Sequence, residues 1–127
     1  MARSFMTASD PRRGEVWRAD LELTRGDEIR KRRPVVIVSD DSIGKLRLRI
    51  VVPVTDWDDR FRSYPWMIPL DPHPASGLTK PSAADAFQVR SISLLRLRER
   101  LGVLSPVTLD TLAAAVALCV GHRAAPA

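Results

Sequence analysis

The chain has 127 residues, the length of one domain, and 45% of them are hydrophobic, enough for a core without metal or disulfide staples. A single cysteine, Cys119, excludes an internal disulfide, and no apolar run reaches the ~20 residues of a membrane span. The net charge of +5, carried mostly by arginine, favours a polyanionic partner, nucleic acid first, because guanidinium groups fork onto phosphate.

Met1–Asp10 lacks the apolar block of a signal peptide and reads as a loose tail. With the lone cysteine, this points to a reducing cytoplasm. The domain is expected over 12–122, with disordered tails at 1–11 and 123–127. Gly14–Leu21 alternates, with Glu15, Trp17, Ala19 and Leu21 on one face and Val16, Arg18 and Asp20 on the other. That pattern predicts a half-buried first strand. Glu22–Arg33 is a long charged connection. Within it, Gly26–Pro34 crowds Asp27, Glu28, Arg30, Lys31, Arg32 and Arg33 into a stretch too polar for a buried strand or core-facing helix. Pro34 biases Arg33 toward extended backbone. Val35–Ser39 follows as a second strand, apolar on both faces and therefore central. A charged loop anchored to a rigid strand is a common way to build a site.

Asp40–Gly44 is a turn. Lys45–Val54 is a long third strand, with Leu46, Leu48, Ile50, Val52 and Val54 facing the core and Arg47, Arg49 and Val51 facing out. Pro53 sits near its end and Thr55 at its terminus. Asp56–Arg62 is a charged loop. Ser63–Leu70 is a fourth strand, confined to an edge by Pro65 and Pro69. Asp71–Pro81 is a loop. Ser82–Ser91 is a fifth strand, on which Asp85 and Phe87 share one face and Gln88 and Arg90 the other. Phe87 is accordingly read as core rather than as a platform for stacking bases. Leu94–Arg100 is a short helical turn and Leu101–Leu104 a short strand. Ser105 caps a helix opened by Pro106 and ended by Gly121. Its stripe of Leu109, Leu112, Ala113, Val116 and Val120 packs on the core. Short strands followed by one helix predict an α+β, β-dominated fold: a small twisted antiparallel sheet closing into a partial barrel.

No Gly-rich phosphate loop, dinucleotide fingerprint or Walker motif is present. Asp56, Asp58 and Asp59, like Asp40 and Asp41, lack the regular spacing of a cation loop, so no metal and no cofactor are expected. His73 and His122 lie far from the charged region, and Cys119 sits in an apolar helix where a thiol is inert. One reaction needs neither metal nor histidine. In RNA the 2′-hydroxyl is an internal nucleophile beside the phosphate. The enzyme needs a base, a cation for the phosphorane, and a hydrogen bonder for the leaving oxygen. Glu28, Arg33 and Thr55 supply that set if the loop folds over the end of the third strand.

The run Arg13-Gly-Glu-Val-Trp, then Gly26-Asp-Glu, Arg33-Pro-Val-Val-Ile-Val-Ser and Val52-Pro-Val-Thr55 resembles the MazF/PemK-like toxins, the ribonucleases of toxin–antitoxin pairs. The likeness continues through Gln88-Val-Arg-Ser and Arg100-Leu-Gly-Val-Leu-Ser into the helix. It implies an SH3-like, partly open antiparallel barrel with a C-terminal helix, forming a homodimer. It further implies metal-independent, sequence-selective cleavage of single-stranded RNA, messenger RNA and also ribosomal RNA. The ends left would be a 2′,3′-cyclic phosphate or 3′-phosphate and a 5′-hydroxyl, and a cognate antitoxin protein would neutralise the activity. By the same resemblance Arg33 and Thr55 match catalytic positions, Glu28 a proposed general base, and Gln88 an RNA contact. Arg30 on the charged loop and Arg90 beside Gln88 are expected to bind RNA with it. Many members carry an acid directly before that glutamine, whereas this chain has Phe87. Strand parity turns Asp85 away from Gln88, so the acidic role is not transferred to it. Two alternatives stand beside this reading. One is a gyrase-poisoning toxin of the CcdB-like kind, whose tryptophan-bearing C-terminal tip is missing here. The other is a barrel that binds RNA without cutting it.

Overall fold

The computed structural model describes residues 10–21, 32–43 and 47–123. Within them lie seven strands: β1 Glu15–Asp20, β2 Arg32–Ile37, β3 Leu48–Asp56, β4 Met67–Leu70, β5 Ser82–Asp85, β6 Arg90–Ser93 and β7 Leu97–Val103. One helix, α1, spans Pro106–Cys119. The strands form one antiparallel sheet in the order β4-β5-β3-β2-β1-β7, with β6 also on β3. Among the described residues the sheet does not close. The expected partly open, β-dominated architecture with a C-terminal helix is the one observed.

β3 is the shared element. Its first half pairs with β6, its last three residues with β5, and its middle with β2. Such sharing bends the sheet so that both of its faces bury side chains. On one face Val16, Val36, Val52, Val54, Ala84 and Leu104 pack with Leu109, Leu112 and Ala115 of α1. On the other, Ala19, Leu21, Val35, Ile37, Val51, Ile92 and Leu97 form a second cluster. β2 contributes to both, which is why its sequence is apolar without alternation. Two register shifts between β1 and β7, after Val16 and after Arg18, add to the bend.

The second core overturns the facing expected for β3. Leu48 and Ile50 are exposed, while Val51 is fully buried and Arg49 nearly so. Arg49 is buried polar, its Nε donating to the Pro11 carbonyl at 3.0 Å and its Nη1 to the Leu48 carbonyl at 2.8 Å. Only Val52 and Val54 face the helix-side core as expected; Lys45 and Leu46 lie outside the described residues. β2 begins at Arg32, so Arg32 and Arg33 belong to a strand rather than to the charged loop. β4 is an edge strand, shorter than anticipated, with exposed Pro69 inside it. The expected fifth strand is two, interrupted by a 3-10 turn at Ala86–Gln88. The turn at Leu94–Arg96 is shorter than expected, and β7 starts at Leu97. Ser105 caps α1 by accepting from the Thr108 N–H, and Gly121 follows with φ +80°. Leu109, Leu112 and Ala115 are the buried face of α1; Val120 is exposed.

Asp20 fastens three strands. Its Oδ1 accepts from Arg32 Nε of β2 at 3.0 Å, and its Oδ2 from Arg98 Nε of β7 at 2.8 Å. The Arg98 hydrogen bond, reinforced by the charges of Arg98 and Arg32, holds the carboxyl below its ordinary pKa. A lowered folded-state pKa means stabilisation that is full above the unfolded value, about 3.9, and lost as pH falls through the folded one. Asp20→Asn should therefore lower the melting temperature by several degrees at pH 7, and the gap from wild type should shrink below about pH 4 and then close.

Gly102 of β7 lets the 73–78 loop dock. A Cβ there would lie 2.2 Å from the Ala75 carbonyl oxygen, the same oxygen that accepts from Val103 N–H at 2.8 Å. Gly102→Ala should cost about 1–3 kcal/mol in denaturant unfolding, since backbone must move to admit the methyl.

Candidate functional site

Arg33 and Thr55 meet. Arg33 Nη1 donates to Thr55 Oγ1 at 3.3 Å. The sheet explains the encounter. The β2–β3 register pairs Ile37 with Val51, Val36 with Val52 and Val35 with Pro53. Continued two residues, it sets position 33 opposite position 55. The ladder stops there because Pro34 and Pro53, neither with an N–H, sit at its end. β3 then turns its last pairs to β5, with Thr55 opposite Ala83. The two strands part, and the space between them is open.

Two clefts meet on this pair. One, of about 440 Å3, is lined by Arg33, Thr55, Asp85, Gln88 and Arg90 together with Phe61, Tyr64 and Trp66. The other, of about 570 Å3, is lined by Arg32, Arg33, Thr55, Lys80 and Ser82 among others. Val54, Thr55 and Arg33 belong to both. A polymer crossing the molecule would thus have room on both sides of the Arg33–Thr55 contact.

Six of the described arginines are held by carboxylates. Arg18 pairs with Glu99, Arg32 and Arg98 with Asp20, Arg60 with Asp58, Arg62 with Asp59 and Arg100 with Glu15. Among the described residues no carboxylate pairs with Arg33 or Arg90. Arg90 Nη1 donates instead to the Leu21 carbonyl at 3.1 Å. A guanidinium without a carboxylate keeps its donors for an incoming anion.

Of the residues singled out from the sequence, Arg33, Thr55, Gln88 and Arg90 line one cleft. Glu28 and Arg30 lie outside the described residues. Asp85 corrects the strand-parity argument. The 3-10 turn carries the chain round, so Gln88 Nε2 donates to Asp85 Oδ2 at 2.8 Å while Asp85 Oδ1 accepts from Phe87 N–H at 3.2 Å. Asp85 and Gln88 are neighbours on the same wall. Phe87 is not core: it is 68% exposed. The aromatic wall was missed because Phe61, Tyr64 and Trp66 lie in the 3-10 turn Asp59–Ser63 and the link from it to β4, where no strand or helix period marks them as one face.

The acidic loop is tied up locally. Asp56 pairs with Lys80 at 2.9 Å, and Asp58 with Arg60 at 3.1 Å. The Arg60 side chain and its backbone N–H draw the Asp58 carboxyl below its ordinary pKa. Among the described residues no three histidine, cysteine or acidic side chains come together as a metal cage. Burial, aided by the charge of Asp85, raises the pKa of the Cys119 thiol, which leaves it a poor nucleophile. Among the described residues no helix is long and apolar enough to cross a membrane.

Residues 12–120 match the family model for the PemK-like, MazF-like toxin of type II toxin–antitoxin systems. The chain is 36% identical over 113 residues to the endoribonuclease MazF9 of Mycobacterium tuberculosis, spanning 84% of this chain and 93% of that protein. Over 64 residues it is 39% identical to the endoribonuclease PemK of Escherichia coli, spanning 50% of this chain and 48% of that one. Among solved structures, a mycobacterial endoribonuclease in complex with its cognate antitoxin superposes with a TM-score of 0.68, at 25% identity, over 87% of this chain and 95% of that one. The MazE–MazF complex of Deinococcus radiodurans shares the fold at a TM-score of 0.73, with 23% identity, over 88% of this chain and 96% of that one. The chain belongs to the PemK-like, MazF-like family of toxins of type II toxin–antitoxin systems.

Proposed function

We propose that this toxin is an endoribonuclease that cuts single-stranded RNA by attack of the 2′-hydroxyl beside the cut, without a metal ion. The observation that carries the reading is the 3.3 Å Arg33–Thr55 contact at the meeting of two clefts. The relatives named as endoribonucleases support the same class of reaction.

In such a reaction nucleophile and phosphate come from one molecule, so positioning replaces water activation. The 2′-oxygen bonds to phosphorus while the bond to the 5′-oxygen breaks. Negative charge builds on the equatorial oxygens, and the fork of Arg33 matches two of them. The Thr55 hydroxyl accepts from Arg33 and keeps its own proton for a phosphoryl or leaving oxygen. The 2′-hydroxyl proton goes to a base, for which Glu28 is the candidate, and the 5′-oxygen leaves hydrogen-bonded to the Thr55 hydroxyl and takes its proton from solvent water. The products are a 2′,3′-cyclic phosphate, which opens to a 3′-phosphate, and a 5′-hydroxyl. Gln88 and Arg90, with Arg30 from the charged loop, hold the flanking nucleotides. The protein works in the cytoplasm as a homodimer, and an acidic segment of a cognate antitoxin lies over the basic cleft and blocks it.

Arg33→Ala should lower cleavage of a mixed-sequence RNA by about a hundredfold or more, with the melting temperature little changed. Binding without cutting by the wild type would reduce the protein to an RNA-holding barrel. Activity should survive EDTA, and a deoxyribose placed at the cut should abolish it, because the nucleophile is gone. Activity lost in EDTA would transfer the chemistry to the acidic loop at Asp56–Asp59.

A further inference from the structure

The cleft that holds Arg33 and Thr55 has an aromatic wall. Phe61, Tyr64 and Trp66 line it. Their rings run in series: Phe61 to Tyr64 at 6.2 Å, then Tyr64 to Trp66 at 4.8 Å with only 5° between planes. Phe87 extends the series, 6.2 Å from Trp66. This strip is not part of the buried core. Tyr64 is 37% exposed and Phe87 68% exposed, whereas the helix-side core is built from valine, leucine and alanine, with Trp66 only packed against it. An open row of flat rings beside two guanidiniums lacking carboxylates suits a polymer that alternates planar and anionic groups.

We infer that Tyr64, Trp66 and Phe87 form a base-stacking subsite for a nucleotide flanking the cut, an inference that rests on the ribonuclease reading above. The nucleobase lies on the exposed ring faces while Arg33 and Arg90 take the adjoining phosphates. Asp85 is the positioning residue. By capping the Ala86–Gln88 turn and accepting from the Gln88 amide, it holds the Phe87 ring and the Gln88 side chain in one orientation. The Gln88 carbonyl oxygen then meets the edge of the base whose face the rings support. Stacking is tolerant of sequence, so the strip contributes affinity and register, and Gln88 the choice of base.

The test uses the mapped cut site. Short RNAs carrying one abasic residue at each flanking position are assayed for kcat/KM with wild type, Phe87→Ala, Tyr64→Ala and Phe87→Tyr. At one or two flanking positions, removing the base should cost the wild type about five- to a hundredfold. Phe87→Ala and Tyr64→Ala should lose a similar factor on intact RNA and little more on the abasic RNA, and Phe87→Tyr, which keeps the ring, should behave as wild type. Because Phe87 is largely exposed, its variants carry the test even if Tyr64→Ala proves unstable. If the losses simply multiply, or if the alanine variants cut intact RNA as wild type does, the subsite is overturned while the ribonuclease stands. Unchanged cutting with weakened neutralisation by the cognate antitoxin would make the strip a protein-docking surface instead. A wild type that cuts no RNA would remove both readings.

Discussion

The site depends on how two consecutive arginines of β2 are divided between two partners. Arg32 is taken by Asp20, which also holds Arg98 and so ties β1, β2 and β7 together. Arg33, one residue on, makes no carboxylate pair among the described residues and reaches Thr55. If Asp20 were absent, Arg32 and Arg98 would both lose their carboxylate, and β2 its ionic tie to β1 and β7. The carboxylate therefore does more than hold strands. It pins the backbone of β2 at the position from which Arg33 is presented.

The second constraint is the parting of β2 from β3. Two prolines end the ladder, β3 transfers its hydrogen bonds to β5, and the space left becomes the junction of the two clefts. A sheet that stayed paired to its ends would have no such opening. The same sharing of β3 buries both sheet faces, which makes the scaffold beneath Thr55 stiff.

Much of this was legible in the sequence, and the failures have identifiable causes. The uninterrupted apolar run at Val35–Ile37 announced a strand buried on both faces, and Ser105-Pro106 with Gly121 bracketed the helix. The meeting of Arg33 and Thr55 was expected from a loop folding over the end of the third strand, whereas the register of β2 on β3 brings it about. Parity arguments failed wherever their premise did. On β3 they assumed one core, but there are two, so Arg49 is buried and Leu48 is exposed. Between Ser82 and Ser91 they assumed an unbroken strand. A three-residue turn at Ala86–Gln88 restores Asp85 to the side of Gln88 and lifts Phe87 out of the core. The aromatic wall depends on contacts between residues 66 and 87, which no local pattern encodes.

The identity of the nucleophile is the central question, and the chemistry of the product ends reports it directly. RNA incubated with the wild-type protein in EDTA should yield fragments whose 5′ ends accept a phosphate from polynucleotide kinase without prior dephosphorylation, and whose 3′ ends are cyclic or phosphorylated. Fragments with 5′-phosphate and 3′-hydroxyl ends would mean that water attacked, and would contradict the roles of Arg33 and Thr55 in steering a 2′-hydroxyl onto its neighbouring phosphorus.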